Sequence, residues 1–232
     1  TYGTGAFLLT NTGDQRIDSK NGLITTIAWQ SPSGEITYAL EGSVFVAGAA
    51  VQWLRDGLKI IKESKDVEAL ANQVSDSGGV TFVPALTGLG APWWNSEVRG
   101  SITGISRGTT DAHIARATLE AVAFQVTDLV RAMESDLGTK VNTLRVDGGM
   151  SVNNLLMQLQ SNALSVSVER GRVLESTSLG AAYLAGLGAG IFSSTESLET
   201  IWSLDRKFSP TQNATDLSQW HFEIENLLSN QH

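Results

Sequence analysis

The fold of this chain is decided by the stretch Leu144-Arg145-Val146-Asp147-Gly148-Gly149, which predicts a short apolar strand that ends in a tight glycine turn. A helix is predicted directly after it, over residues 151–164, with Ser151 as its N-cap. Glycines between a strand and a helix let a ligand touch the backbone, and the helix N-terminus offers free N–H donors. Asn153 adds an amide to this candidate site. The alternative is an ordinary strand-to-helix turn with a solvated Asn153 and Asp147 as a structural acceptor.

The sequence on both sides of this stretch predicts further strands and helices. Upstream, we predict a three-stranded antiparallel meander over 6–12, 23–30 and 36–43, helices over 44–62, 66–74 and 111–136, and short strands over 80–84 and 101–105. Downstream, we predict a strand over 166–169 and helices over 177–190, 195–203 and 215–230. Strands first, then alternating helices and strands, indicate an α/β layer fold with a mixed sheet.

The composition excludes several classes of function. The 232 residues carry 16 Lys and Arg against 24 Asp and Glu, so no broad basic field exists for a nucleic-acid backbone. The chain contains no cysteine, and its three histidines lack metal-ligand spacing, so neither a disulfide framework nor a metal site is expected. Its apolar stretches are too short for a membrane span, and no secretory segment is present, which predicts a cytoplasmic protein. Because the first residue is Thr1, we expect the chain to be part of a longer protein.

Two further groups of residues are candidates for a phosphate or nucleotide site. Gly3-Thr4-Gly5 combines open backbone N–H groups with a hydroxyl, which together can hold phosphate oxygens. Gly48 and Gln52 lie four residues apart and share one helix face, and a glycine inside a helix favours close approach by another group. The alternatives are an ordinary tight turn for the first group and helix packing for the second. No G-x-x-x-x-G-K-[ST] loop is present, so an ATP site must be built otherwise.

Several stretches together resemble one family over residues 1–210. Gly100-Ser101-Ile102-Thr103-Gly104-Ile105, followed after seven residues by the run from His113 to Glu120, is similar to the C-terminal signature of the FGGY carbohydrate kinases. Five more stretches resemble the glycerol-phosphorylating members of that family: Thr1–Gly5, Tyr38–Gly42, Gln52–Asp56, Gly88–Trp94 and Arg145–Gly149.

The resemblance implies a fold and a set of site residues. The fold would be an actin-like, ribonuclease-H-like ATPase domain, with a mixed five-stranded sheet flanked by helices. Residues 1–232 would form the C-terminal, nucleotide-binding domain, and the N-terminal FGGY domain would be absent from the chain. The residues implied to bind ATP are Thr4, Gly48, Gln52, Gly149 and Asn153. Phe7, which the pattern alone assigns to the core, is implied to line the glycerol pocket.

The resemblance also implies a reaction that this chain does not complete by itself. The parent protein would transfer the γ-phosphate of ATP, with Mg²⁺, to glycerol, and it would form a homo-oligomer. The family's catalytic base is an aspartate in a Gly-Asp-Gln segment that lies before the stretch corresponding to Thr1, so we expect no turnover by the isolated chain. Two alternatives remain open: a kinase for xylulose or another polyol, and a non-catalytic nucleotide-binding module.

Overall fold

A computed structural model describes residues 1–31, 33–211 and 215–229. The strands are β1 (Ala6–Gly13), β2 (Ile24–Gln30), β3 (Ile36–Val44), β4 (Thr81–Val83), β5 (Ser101–Thr103), β6 (Thr143–Val146), β7 (Ser167–Gly171) and β8 (Leu204–Phe208). The helices are α1 (Gly48–Asp56), α2 (Asp66–Ala71), α3 (Asp111–Leu137), α4 (Asn154–Leu164), α5 (Ser176–Gly188), α6 (Thr195–Glu199) and α7 (Ser218–Ser229). Residue 230 of the predicted last helix lies outside the described residues.

The first three strands form an antiparallel sheet in the order β1-β3-β2, so the predicted meander with β2 in the middle is wrong. The connection from β1 to β2 is long, and it is tied to the end of α3 rather than closed as a hairpin. Asp136 accepts hydrogen bonds there from the Ser19 hydroxyl, the Lys20 amide and the Asn21 side chain. β3 takes the central place and is the most buried of the three strands.

The long helix α3 is the centre of the molecule. Its N-cap is Thr110, and the side chain of His113 completes a capping box with the Thr110 backbone, which gives His113 a structural role. Apolar side chains of α3 enter three separate core clusters. The helix ends at Gly138, which adopts the left-handed conformation typical of a C-cap. The prediction of a helix buried on more than one side is confirmed.

The strands do not form one five-stranded sheet, as the sequence-based expectation had it. The described residues contain sheets of three, two and three strands, and the third sheet is mixed, with β7 parallel to β6 and antiparallel to β8. The facing edges of β1 and β6 line a groove of about 910 Å³, so the strand ladder does not continue from the first sheet to the third. Among the described strands, β4 and β5 pair only with each other.

The segment before α4 also differs from the prediction. Residues Gly149–Val152 form a turn of 3-10 helix, and α4 begins at Asn154 with Asn153 as its N-cap. Ser151, the predicted cap, is buried and donates its hydroxyl to the carbonyl of Gly148. This turn places Asn153 at the rim of the cavity described next.

Candidate nucleotide site

A cavity of about 410 Å³ lies where the Gly3-Thr4-Gly5 loop, α1, the segment around α2 and the start of α4 meet. Its volume is within the range of small-molecule sites in proteins. The five residues predicted from the sequence to bind ATP all line it: Thr4, Gly48, Gln52, Gly149 and Asn153. These residues are up to 149 positions apart in the chain, and the fold brings them to one place.

The Gly3-Thr4-Gly5 loop is fixed by main-chain hydrogen bonds to the start of α1. The carbonyl of Thr4 accepts from the amides of Ala47 and Ala49, each at 2.9 Å, and the carbonyl of Gly3 accepts from the amide of Gly48 at 2.9 Å. The side chain of Thr4 is exposed, and its hydroxyl makes no hydrogen bond within the described part of the chain. The loop is therefore rigid in its backbone and open at its hydroxyl.

Gly48 owes its residue type to this loop. A Cβ at position 48 would lie 2.6 Å from the carbonyl oxygen of Gly3, which no side chain tolerates. The close approach predicted from a glycine inside a helix is thus made by the loop backbone. Gln52, one turn further along α1, is exposed and lines the cavity, and its amide has no hydrogen-bond partner among the described residues.

The two glycines of Asp147-Gly148-Gly149 have different reasons for being glycine. Gly148 has φ +86°, and a Cβ there would lie 2.5 Å from the carbonyl oxygen of Tyr2, so the fold itself requires glycine. A Cβ at Gly149 would meet no atom within 4 Å, and its φ is not in the left-handed region. Nothing in the described protein requires glycine at position 149. Gly149 lines the cavity, and a side chain at this position would enter open space.

Asn153 has one side-chain atom in use and one free. Its Oδ1 accepts the amide of Leu156 at 2.8 Å and thereby caps α4, and only 8% of the residue is exposed. The amide nitrogen makes no hydrogen bond within the described residues, which leaves two N–H donors at the cavity wall. Capping accounts for the oxygen of this side chain and not for its nitrogen.

Asp147 acts as a structural acceptor of hydrogen bonds, which is the alternative that the sequence analysis gave for this residue. Its carboxylate accepts hydrogen bonds from the hydroxyls of Thr1 and Ser176. Partial burial alone would raise the pKa of this carboxyl group, but the hydrogen bonds from Ser176 and Thr1 outweigh burial and hold the pKa below its ordinary value. Asp147 is not among the residues that line the cavity.

The sequence did not reveal the apolar wall of the cavity or its polar edge. The wall consists of Val51, Val67, Met150 and Val152, and the edge is formed by Ser64, Lys65 and Glu68. A ligand site of this kind needs mostly apolar surface with a few polar groups. Glu68 already accepts the amide of Leu155 at 3.1 Å. Val51 could have been predicted to lie near the cavity, because it directly precedes Gln52 in the sequence. The approach of α2 is a tertiary contact, and no local sequence pattern predicts it.

Phe7 lies outside this cavity. It is 47% exposed on β1, and three further exposed apolar side chains lie on β1 and β2: Leu9, Ile24 and Ile27. Trp93 and Trp94, the adjacent tryptophans at the end of the Gly88–Trp94 stretch, also lie outside the cavity. Trp93 packs against the second core cluster, and Trp94 contacts Phe45 edge to face.

Comparison with protein families gives a match over most of the chain. Residues 1–189 match the C-terminal domain of the FGGY family of carbohydrate kinases. The chain is 57% identical over 216 residues to glycerol kinase 2 of Thermotoga maritima, a match that covers 93% of this chain and 43% of that protein. It is 55% identical over 214 residues to the glycerol kinase of Burkholderia pseudomallei, again covering 92% of this chain and 43% of the relative. The chain therefore spans less than half the length of these relatives.

Comparison with solved structures agrees. The crystal structure of Plasmodium falciparum glycerol kinase with ADP superimposes with a TM-score of 0.88 at 39% identity, over 98% of this chain and 46% of that one. A ligand-bound xylulose kinase from Lactobacillus acidophilus shares the fold, with a TM-score of 0.81 at 24% identity. These neighbours confirm the predicted actin-like α/β fold class. Within the described residues, no helix combines the length and apolar character required to cross a bilayer.

Proposed function

The chain belongs to the FGGY family of carbohydrate kinases, and from this premise we propose that it is the ATP-binding C-terminal half of a glycerol kinase. The parent protein transfers the γ-phosphate of ATP to glycerol. The observation that carries the proposal is that one cavity is lined by all five residues that the family resemblance implies to bind ATP. Identity of 57% and 55% to two glycerol kinases supports glycerol, rather than xylulose or another polyol, as the acceptor.

In this proposal each lining residue has a separate task. The Thr4 hydroxyl and the loop around it hold phosphate oxygens, because the hydroxyl is free and the loop is fixed to α1. Gln52 and the free amide of Asn153 donate to the nucleoside, and Gly149 leaves room for it. Val51, Val67, Met150 and Val152 supply the apolar surface against which an adenine ring packs.

The lining of the cavity does not fit a Mg²⁺ ion held by this chain. Mg²⁺ in proteins takes oxygen ligands, usually carboxylates together with substrate phosphates. Glu68 is the carboxylate that lines the cavity, and one of its two oxygens, Oε1, accepts the amide of Leu155. The described residues contain no cluster of three metal-ligating side chains. We therefore expect Mg²⁺ to arrive bound to the phosphates of the nucleotide.

The partner of this half is, in the proposal, an N-terminal FGGY domain that closes over the cavity and completes the glycerol pocket. Phe7, Leu9, Ile24 and Ile27 support this, since an exposed apolar patch on a sheet is typical of a surface covered by another domain. Phe7 is then the contribution of this chain to the glycerol pocket. The parent is expected to be a cytoplasmic homo-oligomer.

The nucleotide part of the proposal is tested by titrating the purified chain with ADP and Mg²⁺. Because the chain carries only half of the proposed site, we expect it to bind ADP with a dissociation constant in the millimolar range. Shifts of the amide resonances of Thr4 and Gly149 in NMR spectra measure this binding. No binding at any accessible concentration would contradict the assignment of the cavity. Micromolar binding would show that the site is more complete than half.

The acceptor is tested by enzyme assays. The chain alone is expected to phosphorylate no glycerol above background. Measurable turnover would contradict the proposal that this chain lacks the catalytic base. A chimera that joins this chain to the remaining part of the Thermotoga maritima relative is expected to phosphorylate glycerol in preference to xylulose and gluconate. A preference for either sugar substrate would overturn the assignment of glycerol.

A further inference from the structure

We propose that Tyr2 is a positioning residue for the nucleotide cavity, which it serves by locking the Gly3-Thr4-Gly5 loop to the Asp147–Met150 turn and to helix α4. The proposal rests on the proposed function, because it concerns the geometry of that site. Tyr2 does not line the cavity, and the sequence had given it no role of its own.

The main chain of Tyr2 joins the Gly3-Thr4-Gly5 loop to the Asp147–Met150 turn, and both segments contribute lining residues to the cavity. Its amide donates to the carbonyl of Asp147 at 2.8 Å, and its carbonyl accepts the amide of Met150 at 3.0 Å. The absence of a side chain at Gly148 permits this contact. The next residue, Gly3, is bonded to the amide of Gly48. A shift of Tyr2 would therefore move Thr4 relative to both Gly149 and Gly48.

The side chain of Tyr2 extends in the other direction, into the core. Only 3% of the residue is exposed, and its hydroxyl donates to Oε1 of Gln160 at 2.8 Å. The amide nitrogen of Gln160 donates to the hydroxyl of Thr127 at 3.0 Å, and that hydroxyl donates to the carbonyl of Ala123 at 2.8 Å. Gln160 and Thr127 are both fully buried. A series of three hydrogen bonds thus connects the loop to α4 and to the backbone of α3.

Phenylalanine at position 2 and an apolar residue at position 160 would fill the same space without the cost of burying polar groups. The hydrogen bond between the Tyr2 hydroxyl and Gln160 is directional, so it restricts the position of the phenol ring relative to α4. Burial raises the pKa of the Tyr2 phenol strongly, so the hydroxyl remains a neutral donor throughout the working range of a protein. The consequence is a fixed distance between the phosphate-binding loop and the rest of the cavity.

The test compares Tyr2→Phe, Gln160→Met and the double variant with the unaltered chain. Tyr2→Phe removes the hydroxyl and leaves Oε1 of Gln160 buried without a donor. We expect its dissociation constant for ADP to rise about three- to tenfold, measured at a temperature at which all variants are folded. The double variant leaves no polar atom of this pair unpaired, so its thermal midpoint is expected to recover while its ADP affinity stays low. Tyr183→Phe is the control, because the Tyr183 hydroxyl makes no hydrogen bond among the described residues and lies outside the cavity.

A purely structural role for Tyr2 would lower the thermal midpoint and leave ADP affinity unchanged, and that result would overturn the proposal. Amide hydrogen exchange without nucleotide provides a second measurement. We expect Tyr2→Phe to increase exchange at the hydrogen-bonded amides of Gly3, Gly48 and Met150, whereas a change confined to α4 would contradict the proposal. If the unaltered chain binds no ADP, the proposed function fails, and the exchange measurement still decides whether Tyr2 positions the loop.

Discussion

Gly149 is the residue at which the requirements of the fold and of a ligand separate most clearly. A Cβ at this position meets no protein atom within 4 Å, so we expect Gly149→Ala to leave the free energy of unfolding unchanged or slightly higher. The added methyl group fills part of the cavity, and the ADP affinity should fall about tenfold or more. Gly188→Ala is the matched control, since that glycine also has free space and lies away from the cavity. Equal ADP affinity in both variants, from an ADP titration monitored by amide shifts, would exclude Gly149 from the site.

Asn153 separates its two tasks through its two side-chain atoms. Asn153→Asp keeps an oxygen that caps α4 and replaces the amide donors by a carboxylate, so stability should hold while ADP affinity falls about tenfold or more. Asn153→Ala removes the cap as well and should cost about 1 kcal/mol of unfolding free energy. Urea unfolding and ADP titration of both variants measure the two effects independently. Normal ADP affinity in Asn153→Asp would show that the amide has no ligand.

Residues of the candidate site could be predicted from the sequence where a residue type is unusual for its expected secondary structure. A glycine predicted to lie inside a helix, as at Gly48, and paired glycines after a strand, as at Gly149, are such cases, although Gly48 proved to be the first residue of α1 and to be required by its contact with the loop. Val67 and Glu68 were not predictable, because their place at the cavity depends on the packing of α2. Asn153, predicted as a site residue, lines the cavity, whereas Ser151 was wrongly predicted as the N-cap, since the 3-10 turn before α4 has no sequence signal of its own.

At the scale of elements, the connection between β1 and β2 gives the fold a pH-dependent anchor. The partial burial of Asp136 alone would raise its pKa, but hydrogen bonds from Ser19, Lys20 and Asn21 outweigh burial and lower the pKa. A lowered pKa in the folded state means that the carboxylate stabilises the fold above the unfolded pKa of about 3.9 and loses this effect as the pH falls through the folded value.

Asp136→Asn is therefore expected to destabilise the chain at pH 7, by about 1 kcal/mol after allowance for solvent screening. The difference from the unaltered chain should disappear at a pH below the folded pKa. Urea unfolding across this pH range measures it. Asp14→Asn, in the same connection but with no hydrogen bond donated to its carboxylate among the described residues, is the control and should change little. A destabilisation that is the same at every pH would contradict the anchor.

The elements that the sequence predicted best are those with a complete local signal. Helix α3 combines an N-cap, a long apolar periodicity and a terminal glycine, and its bounds differ from the prediction by one residue. The prediction did not include β8, because in Leu204–Phe208 only Phe208 is buried and no alternation appears. The order β1-β3-β2 was also out of reach, since strand spacing does not determine which strands pair. α1 ends at Asp56, well before the predicted residue 62, because Lys59 has φ +58° and breaks the helical path.

At the scale of the whole molecule, the segment after residue 189 lies beyond the family match and is nevertheless part of the core. Helix α7 packs into the second apolar cluster through Trp220 and Ile224, and Leu217, which directly precedes the helix, belongs to the same cluster. The indole nitrogen of Trp220 donates to Asp128 of α3 at 2.7 Å, and His221 contacts the other carboxylate oxygen of Asp128. Residues 1–229, as far as they are described, thus support the proposal of one domain that includes the tail.

From this packing we expect the tail to contribute to the stability of the domain, and substitutions on α7 test this expectation. Trp220→Ala should lower the free energy of unfolding by about 3–5 kcal/mol, because it opens a cavity beside α3 and leaves Asp128 without the indole donor. Trp220→Phe keeps much of the ring and should cost less, about 1–3 kcal/mol, mainly for the lost hydrogen bond to a carboxylate. Phe222→Ala on the same helix is the control, since Phe222 is 55% exposed and its loss should stay within about 0.5 kcal/mol. Urea unfolding that gives Trp220→Ala and Phe222→Ala the same small effect would mean that α7 unfolds independently of the domain.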